Sequence, residues 1–139
     1  MSNLTTKFLI VDDVSTMRKI IKNILGDLGY TNLVEAVDGV NALEILNQNL
    51  KTDAPVQFII SDWNLPNMMG IDLLKQCKKT PEFKAPPFVL VTAESEQHQI
   101  LESVKAGISD YIVKPFSFNK IKEKLEKVYK KRHPFGNAG

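Results

Sequence analysis

Short apolar runs alternate along the chain with longer stretches in which apolar side chains recur every three or four positions. Nearly continuous apolar runs are typical of strands buried on both faces, whereas spacings of three and four are typical of amphipathic helices. This pattern predicts five strands, at 8–11, 33–37, 56–60, 88–91 and 111–113, and five helices, at 14–28, 40–49, 71–79, 97–106 and 117–131. Because strands and helices alternate throughout, we expect an α/β fold, a doubly wound (βα)5 parallel sheet of five strands with helices on both faces.

Four of the five predicted strands run into polar or charged residues at their carboxyl ends. The first strand leads to Asp12 and Asp13, the third to Asp62, the fourth to Thr92 and the fifth to Lys114. In doubly wound sheets, ligands bind outside the carboxyl ends of the strands. We therefore expect these five side chains to converge on one edge of the sheet.

Three carboxylates in one small site repel one another. Unit charges about 4 Å apart cost about 4 kcal/mol at an effective dielectric constant near 20, so a proton or a cation has to relieve the repulsion. A cluster of oxygen ligands favours Mg²⁺, which keeps several waters and leaves room for a phosphoryl oxygen. Neither histidine nor cysteine stands near these strand ends, which argues against zinc.

The combination indicates phosphoryl transfer to a carboxylate, which needs a nucleophile, a metal ion and donors for the phosphoryl oxygens. Asp62 is the candidate nucleophile, and Asp12 and Asp13 are the candidate metal ligands. Lys114 supplies a cation and Thr92 a hydroxyl. Taken singly, each residue has an ordinary explanation, such as a turn-capping aspartate or an exposed lysine at a strand end. Together they are better explained by one shared site.

Four motifs resemble the receiver domain of two-component response regulators, over residues 7 to about 131. They are Asp12-Asp13, the loop after Asp62, Thr92-Ala93 and Lys114-Pro115-Phe116. The segments 11–18 (VDDVSTMR) and 61–68 (SDWNLPNM) are similar in particular to the stand-alone chemotaxis receivers of the CheY type. The resemblance implies a flavodoxin-like sheet with strand order 2-1-3-4-5, an order for which CheY itself is a standard example and which residue spacing alone does not provide.

The resemblance also implies roles for the residues at the strand ends. Asp62 would accept a phosphoryl group from a CheA-type histidine kinase or from a small donor such as acetyl phosphate. Asp13, Asp62 and the backbone carbonyl of Asn64 would bind Mg²⁺ directly, with Asp12 acting through water. The phosphorylated state would be short-lived, because Asn64 and Glu94 stand where receivers control access of hydrolytic water to the aspartyl phosphate. A dedicated phosphatase is a further candidate partner.

A second group of implied roles concerns switching. Lys114 would pair with the phosphoryl group, Thr92 would move toward it, and Tyr111 would turn inward into the vacated space. The Lys114-Pro115 peptide bond is expected to be cis, an isomer that costs about 0.5–1 kcal/mol for X-Pro bonds. The face formed by the fourth helix, the fifth strand and the fifth helix would then bind the flagellar switch protein FliM. Its candidate contact residues are Ile100, Val104, Ile108, Tyr111 and Lys124.

Not every residue of that face need be functional, because aliphatic side chains such as Ile108 are also explained by helix packing.

The sequence departs from the family pattern in three places. Met69 stands where an acid commonly precedes the loop glycine, Val14 replaces a bulkier aromatic, and the connection 47–55 is longer than usual. None of these changes removes a catalytic group. We also expect Trp63, beside the metal site, to be half exposed.

Composition and charge narrow the remaining function classes. The chain has 139 residues, 43% hydrophobic and 24% charged, which is typical of one soluble globular domain. The net charge of +2 indicates no nucleic-acid partner, although residues 117–132 carry seven basic and two acidic side chains that could attract an acidic peptide. We expect one receiver domain at 1–131, a flexible tail at 132–139, a monomer, and a cytoplasmic location without membrane insertion. Cys77, the single cysteine, is expected to be an inert thiol.

Three alternatives to a chemotaxis switch share parts of this pattern. A phosphorelay intermediate or another signalling receiver with a non-motor target would use the same chemistry, and only its partner would differ. A Mg²⁺-dependent aspartyl phosphatase generally carries a second aspartate two positions after the nucleophile, where this chain has Asn64. A flavodoxin-like cofactor carrier would need a hydroxyl-rich phosphate loop after the first strand, and this chain has an acidic pair there.

Overall fold

The computed structural model describes residues 4–52, 54–93 and 97–132. For residues 131 and 132 it describes the backbone alone. Strands and helices alternate along the chain. The strands are β1 (Phe8–Val11), β2 (Leu33–Ala36), β3 (Phe58–Asp62), β4 (Phe88–Thr92) and β5 (Asp110–Val113). The helices are α1 (Ser15–Asp27), α2 (Gly39–Leu50), α3 (Gly70–Lys79), α4 (Gln97–Lys105) and α5 (Phe118–Arg132), with a short 3-10 helix at Pro81–Phe83.

All five strands lie in one parallel sheet with the order β2-β1-β3-β4-β5. The predicted doubly wound, flavodoxin-like fold is therefore confirmed. The three central strands β1, β3 and β4 are buried along their whole length, which is why their sequences read as continuous apolar runs.

Successive residues of each strand point to opposite faces of the sheet and so feed two separate cores. In β1, Leu9 and Val11 pack on the side covered by α2 and α3, whereas Phe8 and Ile10 pack on the side covered by α1 and α5. The helix α4 contributes little to either core, since Ser103 is its one buried residue among those described. Two packed faces hold the strands rigidly, while α4 rests on the sheet more lightly.

Three predicted details need correction. The helix α2 continues to Leu50, so residues 47–50 are helical instead of part of a long polar connection. Val14 precedes α1 and is 52% exposed, and Ile20 is 42% exposed, although both fit the apolar spacing. Apolar spacing indicates which face of a helix packs on the sheet, but it does not show which residues at the margin of that face stay exposed. Among the described residues, no helix is long and apolar enough to cross a membrane.

Candidate functional site

The carboxyl ends of β1 and β3 bring three carboxylates together. The strands β1 and β3 are neighbours, with Val11 paired to Ser61, so the residues that follow each of them project from the same edge. One carboxylate oxygen from each of Asp12, Asp13 and Asp62 lies within 4.8 Å of the others. Asp12 and Asp62 are buried and Asp13 is exposed. The cluster is thus an acidic pocket in which two carboxylates are shielded from water and the third is exposed.

The backbone around Asp12 is fixed from both sides. The Asp12 carboxylate accepts a hydrogen bond from the Val14 N–H at 2.9 Å, and the Asp12 carbonyl accepts one from Arg18 Nη1 at 2.7 Å. Arg18 also donates through Nε to Glu35 Oε1 of β2 at 2.8 Å. No role was predicted for Arg18 in linking α1 to β2. This link holds the acidic pair in place through the main chain.

Burial raises the pKa of the Asp12 carboxyl above its ordinary value. The Val14 hydrogen bond opposes this rise, while the negative charges of Asp62 and Asp13 add to it. A raised pKa means that the folded protein binds the Asp12 proton more tightly than the unfolded chain does. Ionised Asp12 therefore destabilises the metal-free protein at neutral pH.

Replacing Asp12 with asparagine should stabilise the metal-free protein. At pH 7.5 in a chelator, we expect the free energy of unfolding to rise by about 1 kcal/mol, because a buried charge beside two others is removed while the oxygen facing the Val14 N–H remains. The gain should shrink as pH falls through the raised pKa of Asp12, since the wild-type carboxyl then becomes neutral too. Urea denaturation at a series of pH values downward from 7.5 measures both effects.

The matched control for this prediction is Asp27→Asn, at the exposed C-terminal end of α1. It should change the free energy of unfolding by less than about 0.5 kcal/mol at any of these pH values. A destabilised Asp12→Asn protein at pH 7.5 would contradict the inference that ionised Asp12 destabilises the metal-free protein.

Two donors approach the Asp62 carboxylate. Lys114 Nζ donates to Asp62 Oδ2 at 3.0 Å, and the Asn64 N–H donates to Asp62 Oδ1 at 3.3 Å. The Lys114 side chain reaches the site because its backbone N–H is bound to the Thr92 carbonyl at 2.7 Å, which extends the pairing of β4 and β5 by one residue. The Lys114-Pro115 peptide bond is cis. The phosphoacceptor candidate is therefore flanked by a positive charge and a backbone donor.

The loop that follows Asp62 is tied back to α2. Asn67 has a φ of 64° and donates through Nδ2 to Asp38 Oδ2 at 2.7 Å. Asp38 also caps α2 by accepting a hydrogen bond from the Asn41 N–H at 2.7 Å. Asn67 thus adopts the left-handed conformation, which asparagine tolerates better than most residues. Gly70 instead begins α3 with helical geometry and is required there for a different reason, its closeness to the Asp62 carbonyl.

The switch candidates Thr92 and Tyr111 line the same small cavity, on the α4 side of the sheet. Thr92 is 5% exposed and donates through Oγ1 to Gln99 Oε1 of α4 at 3.2 Å. Tyr111 is half-buried, and its ring lies 4.8 Å from Lys124 Nζ. Trp63 lines this cavity as well and is only 6% exposed, so the expectation of a half-exposed indole was wrong.

Lys124 is held by Asp110, a residue for which no role was predicted. Asp110 is 8% exposed and accepts from Lys124 Nζ at 3.1 Å and from the Tyr111 N–H at 2.8 Å, with Lys127 Nζ 3.8 Å away. The Asp110 carboxylate thereby fixes both the backbone of Tyr111 and the cation over its ring.

The remaining candidates are distributed along α4 and beyond. Val104 is 60% exposed, whereas Ile100 is half-buried and Ile108 packs against the core on the α2 side. Leu101, not among the predicted partner residues, is 59% exposed beside Val104. Glu94 lies outside the described residues. Cys77 is buried, and burial raises the pKa of its thiol to about 12, in keeping with an inert side chain.

The acidic pocket suits a hard divalent cation. All three side chains offer carboxylate oxygens, the ligands that Mg²⁺ prefers. Burial is the main cause of the raised pKa of Asp12, the negative charges of Asp62 and Asp13 add to it, and a cation would relieve that repulsion. Asp12, Asp13, Asp62 and the carbonyl of Asn64 are the groups that would hold it.

Comparisons with known proteins identify close relatives. The family model described as response regulator receiver domain matches residues 8–126. Chemotaxis protein CheY-3 of Vibrio cholerae is 46% identical over 129 residues, 93% of this chain and 95% of that protein. Chemotaxis protein CheY of Pseudomonas aeruginosa is 47% identical over 125 residues, 90% of this chain and 97% of that protein. The high-resolution structure of chemotaxis response regulator CheY4 of Vibrio cholerae superposes with a TM-score of 0.77 at 30% identity, covering 89% of this chain and 98% of that one.

Proposed function

The chain belongs to the response regulator receiver family, with CheY-type chemotaxis regulators among its relatives, and from that premise we propose that it is a phosphorylation-activated chemotaxis switch. Receivers of this family are signalling switches. In the proposed reaction, Asp62 accepts a phosphoryl group, and the altered site changes the face formed by α4, β5 and α5. The observation that carries the proposal is the 3.0 Å contact of Lys114 Nζ with Asp62 inside a pocket of three carboxylates.

The proposed transfer starts from a phosphohistidine of a CheA-type kinase. A carboxylate oxygen of Asp62 attacks phosphorus, the P–N bond breaks, and the electron pair stays on the imidazole nitrogen, which takes up a proton from solvent. Lys114 contacts Asp62, so its charge can pair with a phosphoryl oxygen. Thr92, the last residue of the neighbouring strand β4, carries a hydroxyl that can donate to another. Small donors such as acetyl phosphate would react at the same oxygen.

Mg²⁺ held by Asp12, Asp13, Asp62 and the Asn64 carbonyl would neutralise charge on the phosphoryl oxygens. The chain itself contributes the geometry. The hydrogen bonds to the side chain and backbone of Asp12 fix one wall of the pocket, and the Asn64 N–H orients Asp62.

The output surface we propose is the face of α4, β5 and α5, with the flagellar switch protein FliM as its partner. Exposed Val104 and half-buried Ile100 and Tyr111 supply apolar contacts, and Lys124 and neighbouring lysines of α5 supply positive charge for an acidic segment. A receiver with a non-motor target would share the chemistry and fail to bind FliM. We further propose a cytoplasmic monomer with one receiver domain at 1–131. Arg132 still belongs to α5, and the rest of the predicted tail, 133–139, lies outside the described residues.

The proposal is tested by titrating the protein first with Mg²⁺ and then with beryllofluoride, a mimic of the phosphoryl group, while following Trp63 fluorescence. Trp63 is the single tryptophan and lines the cavity with Thr92 and Tyr111, so a rearrangement of either residue changes its surroundings. A response to beryllofluoride that requires Mg²⁺ supports a working receiver. A folded protein without any response would refute phosphorylation-dependent switching.

Replacing Asn64 with arginine should change the lifetime of the aspartyl phosphate several-fold without abolishing its formation. The Asn64 side chain is exposed at the rim, and a long basic side chain there alters the access of water to the phosphoryl group. The backbone groups of residue 64 remain available in the variant. Decay of the phosphorylated protein, labelled with acetyl phosphate and followed on phosphate-affinity gels, measures the lifetime. Asn47→Arg, on the exposed face of α2, is the control, and equal decay rates for the two variants would argue against a rim role for Asn64.

A further inference from the structure

Gln99 connects α4 to the phosphoryl-transfer site through one hydrogen bond. Its Oε1 accepts from Thr92 Oγ1 at 3.2 Å, and the bond lies in a partly buried position. Thr92 is the last residue of β4, 5% exposed, while Gln99 sits on the first turns of a helix with a single buried residue among those described. A side chain on a lightly packed helix thus holds the hydroxyl at the rim of the site.

A phosphoryl group on Asp62 would compete with Gln99 for the same hydroxyl. The strands β3 and β4 are neighbours with Asp62 paired to Val91, so Thr92 stands one residue beyond the phosphoacceptor's partner. A phosphoryl group on Asp62 would bring strongly accepting, charged oxygens to this edge, and hydrogen bonds to charged acceptors are stronger than those to amides. A hydroxyl carries one proton. It can therefore donate to Gln99 or to the phosphoryl group, but not to both.

We propose that Gln99 is a positioning residue that holds the Thr92 hydroxyl in its resting orientation and thereby lowers the affinity of the site for a phosphoryl group. The inference rests on the proposed function, because it assumes a phosphoryl group on Asp62. Breaking the bond also removes one of the contacts that hold α4 to the sheet edge, where Ile100 and Ser103 line the same cavity. Gln99 therefore sets how readily phosphorylation is transmitted to α4, through the difference in free energy between the two orientations.

The experiment is a beryllofluoride titration at saturating Mg²⁺, in which the midpoint concentration is read from Trp63 fluorescence. Gln99→Leu removes the acceptor at similar size, and it should lower the midpoint about fivefold, the factor equivalent to one hydrogen bond of about 1 kcal/mol. Gln99→Glu places a charged acceptor at the same position and should raise the midpoint. The midpoint for Mg²⁺ alone should stay at the wild-type value in both variants, because Gln99 is not among the oxygen ligands.

A control variant and a double variant separate this role from a general structural effect. Gln97→Leu changes an exposed glutamine of the same helix and should leave the beryllofluoride midpoint unchanged. In a Thr92→Val background, Gln99→Leu should no longer shift the midpoint, since the hydroxyl through which it acts is gone. A wild-type midpoint in Gln99→Leu, with a responding wild-type protein, overturns the inference while leaving the proposed function intact. A wild-type protein that does not respond overturns both.

Discussion

Replacing Asp62 with asparagine should reduce phosphorylation by acetyl phosphate to background and abolish the fluorescence response to beryllofluoride. The amide has nearly the same shape as the carboxylate, but its oxygen is a poor nucleophile and cannot form an acyl phosphate while the amide remains. The variant also loses the ion pair with Lys114 and one of the three negative charges grouped in the pocket. Both the acceptor and part of the cation site disappear with a single change.

The fold should survive this substitution. Removing one of three crowded negative charges offsets the loss of the Lys114 pair, so we expect the free energy of unfolding in a chelator to stay within about 1 kcal/mol of the wild-type value. Asp72→Asn, in the exposed first turn of α3, is the control and should be labelled as fully as the wild-type protein. Wild-type labelling of the Asp62→Asn protein would place the acceptor elsewhere, with Asp13 as the exposed alternative in the same pocket.

The fold was predictable because each element carries its own local signal. The strands β1, β3 and β4 are buried on both faces, so their apolar runs are continuous, and α5 buries Ile121, Leu125 and Val128 at helical spacing. A parallel sheet places all strand ends at one edge. The position of Asp12, Asp13 and Asp62 at one edge therefore follows from strand boundaries, whereas their closeness also requires that β1 and β3 are neighbours. Their roles in catalysis stay predictions.

What escaped prediction depends on contacts between distant elements. Trp63 was expected to be half exposed beside the metal site, but its N–H continues the strand pairing by binding the Val91 carbonyl at 2.8 Å, and the indole lines the cavity between β4 and α4. No role was predicted for Arg18 or Gln99. Their partners, Glu35 with the Asp12 carbonyl and the Thr92 hydroxyl, are brought within reach only by the packed tertiary structure.

Gly70 illustrates the same limit, since the sequence suggested a turn residue and the structure shows a steric requirement. A Cβ at this position would lie 2.0 Å from the Asp62 carbonyl oxygen and 3.0 Å from Leu90 Cδ2. The oxygen belongs to the buried strand β3 and cannot give way without moving Asp62 itself. The Gly70 N–H also binds the Trp63 carbonyl at 2.9 Å, which holds the start of α3 against the strand end. Only a residue without a side chain fits here.

Gly70→Ala should therefore lower the free energy of unfolding by roughly 3 kcal/mol, at the upper end of the usual cost of overpacking, and weaken Mg²⁺ binding in whatever protein remains folded. Gly26→Ala is the matched control, because Gly26 also lies in a helix but a Cβ there meets nothing within 4 Å. Alanine exceeds glycine in helix propensity by about 1 kcal/mol, so this variant should be more stable than the wild-type protein. Urea denaturation with and without Mg²⁺ measures both variants side by side. Alanine should thus destabilise the protein at position 70 and stabilise it at position 26. Changes of equal sign would mean that the approach of α3 to Asp62 is not what requires Gly70.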